Sequence, residues 1–199
     1  ESAVRRSAGH LPLRRGVTDI WLVRHGEAAA AFDQDTDPPL SDLGRDQAKE
    51  SAECLSRSVG DDARLLTSPK LRAIQTGEPF AALRKSALDI DRRFIELPSP
   101  GALTARKDWI QRALKGRWSE LPESIHDWQN DIVATIQAFQ TPTVIFSHFL
   151  VINTVAAHMS GEDKGLQCLP ANGSVHHLRV DEGSWQWVER GEMLQSVVN

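Results

Sequence analysis

Cysteine is scarce in this chain: Cys54 and Cys168 are the only two among 199 residues, and they lie far apart. They make neither the C-x-x-C spacing of a zinc or thiol-redox site nor the dense framework of a small secreted domain, so both are expected to be reduced, packed thiols. Long apolar runs are scarce as well. The most apolar stretch, residues 143–159, is broken by Ser147, His148, Asn153 and His158 and is too short and too polar to span a bilayer. Nor is there an excess of positive charge. With 23 Lys and Arg against 27 Asp and Glu, the formal net charge is -4, which gives nucleic acid or an anionic membrane no overall field to follow. Any anion site must therefore be local.

What the chain does have is the balance of a soluble globular protein, 40% hydrophobic and 25% charged, at a length that buries a core without disulfide or metal staples. One domain is expected over residues 17–199. Residues 1–16, with Arg5, Arg6, Arg14 and Arg15 against Glu1, are expected to form a flexible tail. A cytoplasmic location fits the reduced thiols, and no feature of the sequence sets the oligomeric state.

Apolar runs of strand length alternate with segments of helical period, the order that builds a parallel sheet covered by helices. The fold class expected is α/β, a three-layer α/β/α sandwich with a mainly parallel central sheet. Strands are expected at 19–23, 64–67, 88–91, 143–146, 174–180 and 184–188. Ser41 is placed to cap a helix over 42–57. Ser68 is placed to open one over 69–83 with Pro69 at its first position, and Gly161 to close one over 150–160. Residues 104–139 hold two helical patterns around Trp118 and Pro122 and are expected to form a helical flap. Its tryptophans, Trp109, Trp118 and Trp128, suit packing onto the sheet better than walling a substrate.

Two groups resemble metal sites and fail on chemistry. Asp33, Asp35 and Asp37 begin like a calcium loop, but the sixth position is Pro38 and the twelfth Gly44, where glycine and glutamate are needed. His176 and His177 are neighbours on an expected strand, so they face opposite ways and cannot share an ion. No metal and no organic cofactor is expected.

In open α/β sheets, ligands bind beyond the carboxyl ends of the strands. Here the first strand runs into Arg24-His25-Gly26-Glu27, the second into Ser68-Pro69-Lys70-Leu71-Arg72 and the fourth into Ser147-His148-Phe149. Parallel strands bring two arginines and two histidines to one rim. That set suits a phosphoryl group, whose oxygens need several cationic donors in fixed directions. Imidazole is in addition a nucleophile that stays largely uncharged near neutral pH, and Gly26 would let a phosphate approach closely.

Leu22-Val23-Arg24-His25-Gly26-Glu27 resembles the signature of the histidine phosphatase superfamily, the phosphoglycerate-mutase-like fold. The blocks Pro39-Leu40-Ser41-Asp42-Leu43-Gly44-Arg45-Asp46-Gln47-Ala48, Ser68-Pro69-Lys70-Leu71-Arg72-Ala73-Ile74-Gln75-Thr76 and Val144-Ile145-Phe146-Ser147-His148 follow in the order of that family. The resemblance implies that His25 attacks the substrate phosphorus while Arg24, Arg72 and a protonated His148 hold the equatorial oxygens. Backbone N–H groups at the start of the helix after His148 would add to the anion site. It further implies a general acid soon after the third strand. Asp91-Arg92-Arg93-Phe94-Ile95-Glu96 fits that frame, which makes Glu96 the candidate.

The sequence departs from the family at three places. Leu97-Pro98-Ser99-Pro100 replaces the usual glycine and tryptophan after the acid. Phe149 stands where glycine usually follows the second histidine, which narrows the pocket or gives an apolar substrate group a surface. Ala28 to Ala31 occupy a stretch where mutases carry an asparagine. The function implied is a metal-independent phosphatase that hydrolyses a phosphomonoester of a small molecule through phosphohistidine on His25. Alternatives are a phosphoglycerate mutase, a protein phosphohistidine phosphatase and a non-catalytic phosphate-ligand module. The mutases carry an Arg-His-Tyr-Gly-like block, and this chain has no tyrosine. A phosphohistidine phosphatase suits a site with no covering insertion, and pseudoenzymes commonly lack the nucleophile.

Overall fold

The structure, a computed structural model, describes residues 16–30, 35–97, 103–181 and 183–195. Residues 1–15 of the expected tail, Asp33 of the rejected calcium loop and Pro98-Ser99-Pro100 lie outside these.

Thr18–Arg24 (β1), Arg64–Thr67 (β2), Asp89–Ile90 (β3), Thr143–Ser147 (β4), Val175–Asp181 (β5) and Ser184–Glu189 (β6) form one sheet in the order β3-β2-β4-β1-β5-β6. The strands β3, β2, β4 and β1 run parallel, whereas β5 and β6 are antiparallel additions. Registry decides where chemistry can occur. Arg24 pairs with Ser147, and Thr67 with Phe146 and Ile90. The carboxyl ends of the four parallel strands therefore reach one edge together.

Period-2 alternation divides the core between two faces. Trp21, Val23, Leu65, Val144 and Phe146 point to one side, where Ala52 and Leu55 of Asp42–Ser58 (α1) and Phe80 of Leu71–Arg84 (α2) cover them. Ile20, Leu22, Leu66, Ile145 and Leu178 point to the other, under Glu123–Gln137 (α4) and Phe149–Ser160 (α5). Helix α5 is buried from Leu150 through Ala157, as expected for a helix apolar all round. The result is the three-layer α/β/α sandwich.

Three local expectations shift. Helix α2 begins at Leu71 with Lys70 as cap, two residues later than the Ser68-Pro69 pattern indicates, because Ser68 bonds elsewhere and the Asp37 carboxylate instead accepts from Leu71 N at 2.8 Å. Strand β3 is cut to two exposed residues at the sheet edge. Cys54 is exposed on α1, so only Cys168 is even half-buried.

The insertion is Leu103–Lys115 (α3), a short 3-10 turn at Trp118–Glu120 and α4. Helix α4 is no flap, since Ile125, Trp128, Ile132 and Ile136 belong to the core. Trp118 and Trp128 are buried, and Trp128 Nε1 donates to Ile95 O at 3.1 Å. These side chains pack and do not wall a substrate. Among the described residues no helix is long and apolar enough to cross a membrane.

Ile145 lies fully buried in the central strand. Ile145→Ala should lower unfolding free energy by about 2–5 kcal/mol, read as a lower urea midpoint with an unchanged slope.

Candidate active site

Each catalytic candidate is delivered by a strand end. His25 follows β1 directly, its N–H bonded to Ser147 O at 2.9 Å. Ser68 N bonds Phe146 O at 2.9 Å, also on β4, and the next turn of chain opens α2 with Arg72 in its first turn. His148 closes β4 and is the N-cap residue of α5. The edge therefore joins His25, Arg72 and His148 by way of main-chain bonds.

Hydrogen bonds fix the protonation of His25. Its Nδ1 lies 2.7 Å from Gly26 O, which can only accept, so Nδ1 carries the hydrogen. Arg72 Nε, which can only donate, lies 3.1 Å from His25 Nε2. The lone pair on Nε2 thus faces Arg72. Burial first, then the charges of Arg72 and Arg24, hold the His25 pKa well below its ordinary value, so the ring is neutral over the physiological range.

His148 is fully buried with its ring centroid 5.2 Å from that of His25. Its Nε2 is 2.7 Å from Ser68 Oγ and its Nδ1 3.4 Å from Arg72 Nη2. Burial, followed by His25, Arg72, Lys70 and Arg24, pushes its pKa well below the usual histidine value. Burial and these four positive or ionisable neighbours favour the neutral ring, whereas the resemblance implies a protonated His148 against phosphate.

Arg24 donates Nη1 to Pro170 O at 2.7 Å, and its guanidinium lies 5.1 Å from the ring centre of Phe149. Its Nε is buried with no hydrogen-bond partner among the described residues. Burial lowers its pKa to about 10, against the raising effect of Glu96 and with that of Arg72. The Arg24 guanidinium thus lies over the Phe149 ring, a contact the sequence could not specify.

The half-buried Glu96 carboxylate accepts from Leu97 N at 3.0 Å and from Leu150 N, in the first turn of α5, at 3.4 Å. Burial raises its pKa, against the pull of those two N–H groups and of Arg72 and Arg24. The carboxyl lies beside Arg72 and Arg24. Leu150 N, expected to join the anion site, is instead used by Glu96.

Gly26 is corrected in role. A Cβ there would strike Gly44 O, and one on Gly44 would strike Glu27 O, so the glycine admits helix α1 and not the phosphate. Gly26 N donates to Thr76 Oγ1 at 3.0 Å, and Thr76 Oγ1 donates to Arg72 O at 2.7 Å. Asn172 Nδ2 donates to His25 O at 3.1 Å. Ser68 and Thr76 lay inside a recognised block and could have been singled out. Asn172 and Pro170 sit in a loop that no sequence pattern marks.

The sequence matches the histidine phosphatase superfamily (branch 1) over residues 20–192. The chain belongs to the histidine phosphatase superfamily. Its fold is that of solved structures with little sequence in common. One is a mycobacterial glucosyl-3-phosphoglycerate phosphatase complexed with VO3 (20% identity, TM-score 0.66, covering 86% of this chain and 98% of that one). Another is a phosphoserine phosphatase of Entamoeba histolytica in complex with 3-phosphoglyceric acid (18%, 0.67, 88% and 98%). YhfR of Bacillus stearothermophilus is a third (21%, 0.68, 89% and 98%). Among curated proteins no sequence match is found. Of the site residues expected from the sequence, Arg24, His25, Arg72, Glu96, His148 and Phe149 gather at one edge, while a side chain at Gly26 would point away. Among the described residues no group of three His, Cys, Asp or Glu is placed to hold a metal ion.

The buried histidines predict an acid sensitivity. His176, held by Ser174 Oγ at 2.8 Å and Gly191 N at 3.1 Å, has its pKa lowered to about 4 by burial and then Arg190. Native His25, His148 and His176 bind fewer protons than the unfolded chain, whose histidines titrate near 6.5. Their stabilisation is present above that value and is lost as pH falls through 6.5 toward 4; the raised Glu96 opposes it singly. Urea midpoints should therefore drop between pH 7 and pH 5.

Proposed function

We propose that this chain is a metal-independent phosphatase that hydrolyses a phosphomonoester of a small molecule through a phosphohistidine on His25. The observation that carries the reading is the fixed tautomer of His25: Nδ1–H bound to Gly26 O, Nε2 lone pair directed into a cluster with Arg72, Arg24 and His148. A neutral imidazole so held needs no deprotonation before it attacks.

Arg72 and Arg24 take the non-bridging oxygens of the incoming phosphoryl group. The lone pair of His25 Nε2 forms the N–P bond as the P–O ester bond breaks, and the carboxyl of Glu96 gives its proton to the leaving alkoxide. Glu96, now a carboxylate, removes a proton from water, which attacks phosphorus. The N–P bond breaks, inorganic phosphate leaves, and both His25 and Glu96 are restored. Charge that grows on the phosphoryl oxygens is met by guanidinium groups already in place and largely out of water. Phe149 keeps Arg24 flat against one wall and offers an apolar surface to the alcohol part of the substrate. The structural neighbours named for glucosyl-3-phosphoglycerate and phosphoserine favour a small phosphorylated metabolite as the class of substrate.

The test is release of inorganic phosphate in excess chelator. His25→Ala should reduce turnover of an aryl phosphate to background; equal rates in both proteins would remove His25 as nucleophile. Glu96→Gln should slow an alkyl phosphate by about 10²- to 10⁴-fold and an aryl phosphate with a good leaving group much less, since that group departs without a proton. A uniform loss on both would deny Glu96 the role of general acid.

A further inference from the structure

Ser68 takes no part in the reaction proposed above, yet its side chain is fully buried against His148. Lys70 N, a donor only, points at Ser68 Oγ from 3.3 Å, and His148 Nε2 lies 2.7 Å away. One lone pair of the hydroxyl is thus taken by the backbone, which leaves the other lone pair and the O–H for the ring. On the opposite side of the ring, Arg72 Nη2 can only donate toward Nδ1. That contact requires the tautomer with hydrogen on Nε2 and a lone pair on Nδ1, in which Ser68 Oγ accepts from Nε2–H. His25 has the reverse arrangement. The two rings therefore present opposite nitrogens, each unprotonated, to a single guanidinium.

We propose that Ser68 is a positioning residue that acts through His148, holding its Nε2–H so that Nδ1 is the nitrogen that gains a proton when a phosphoryl anion enters. The inference rests on the phosphate-site reading of this edge. The groups that face His148 are His25 and Arg24 from the end of β1 and Lys70 and Arg72 from the start of α2, all of which disfavour its charge. Glu96 adds its carboxyl beside Arg24 and Arg72. A bound dianion reverses that field. One proton from solvent then adds to Nδ1 and forms an N–H···O bond to phosphate, while the Nε2–H bond to Ser68 stays unbroken. Without the hydroxyl only the longer Arg72 contact, 3.4 Å, is left to keep Nδ1 inward.

The experiment uses the intact chain with ¹⁵N-labelled histidine. In the free protein the His148 signals should be those of the Nε2–H tautomer, and saturation with inorganic phosphate should convert them to imidazolium. A free protein with Nδ1–H on His148 would overturn the proposal without any variant. Ser68→Ala should reduce the tautomer preference and weaken phosphate binding by about three- to tenfold, the worth of one hydrogen bond. In a His148→Gln background the same change should have no further effect on phosphate binding. An equal loss in both backgrounds would mean that Ser68 acts on folding or on another group, and would sink the idea. Normal phosphate binding and tautomer with no hydrolysis of any ester would support the role of Ser68 while rejecting the catalytic reading.

Discussion

Positive charge held largely out of water is the constraint on which this site depends. Two guanidinium groups cannot shed their protons at physiological pH, and together with burial they favour the neutral form of the imidazoles next to them. Burial also raises the pKa of Glu96, against the pull of the same arginines. The states of two histidines and a carboxyl are thus results of one electrostatic arrangement and not separate devices.

The arrangement persists because the side chains are tied to main chain. Gly26 O orients His25, Pro170 O orients Arg24, and Thr76 links the His25 loop to the first turn of α2. Registry between β1, β4 and β2 places those anchors at one height along the sheet. Nearly all of the large buried side chains serve that registry, which is how a core of Ile, Leu and Phe sets distances between polar groups it never touches.

Much of this was legible in the sequence, for identifiable reasons. Strands such as Trp21-Leu22-Val23 alternate strictly between faces, so their ends were easy to place, and Arg24, His25, Arg72 and His148 fall directly after those ends. Glu96 came from the family resemblance of the segment that begins at Asp91. The start of α2 was not legible, since Ser68 and Pro69 look like a cap and a first helical residue, and the Asp37 carboxylate that takes Leu71 N lies 34 positions away in the chain. The role of Gly26 was misread because glycine beside an anion site has two uses, approach of ligand or approach of backbone, and sequence does not distinguish them. The stacking of Phe149 on Arg24 and the grip of Asn172 on His25 join residues more than a hundred positions apart in the chain, which local pattern cannot reach.

The contact between Gly26 and Gly44 has a bearing on engineering. The segment that carries His25 and the helix that starts at Asp42 meet backbone to backbone, so neither position can absorb a change made at the other by repacking a side chain. A library built at this edge should hold both glycines constant and spend its diversity near Phe149, whose ring lies under the Arg24 guanidinium. The pair behaves as a rivet in the frame.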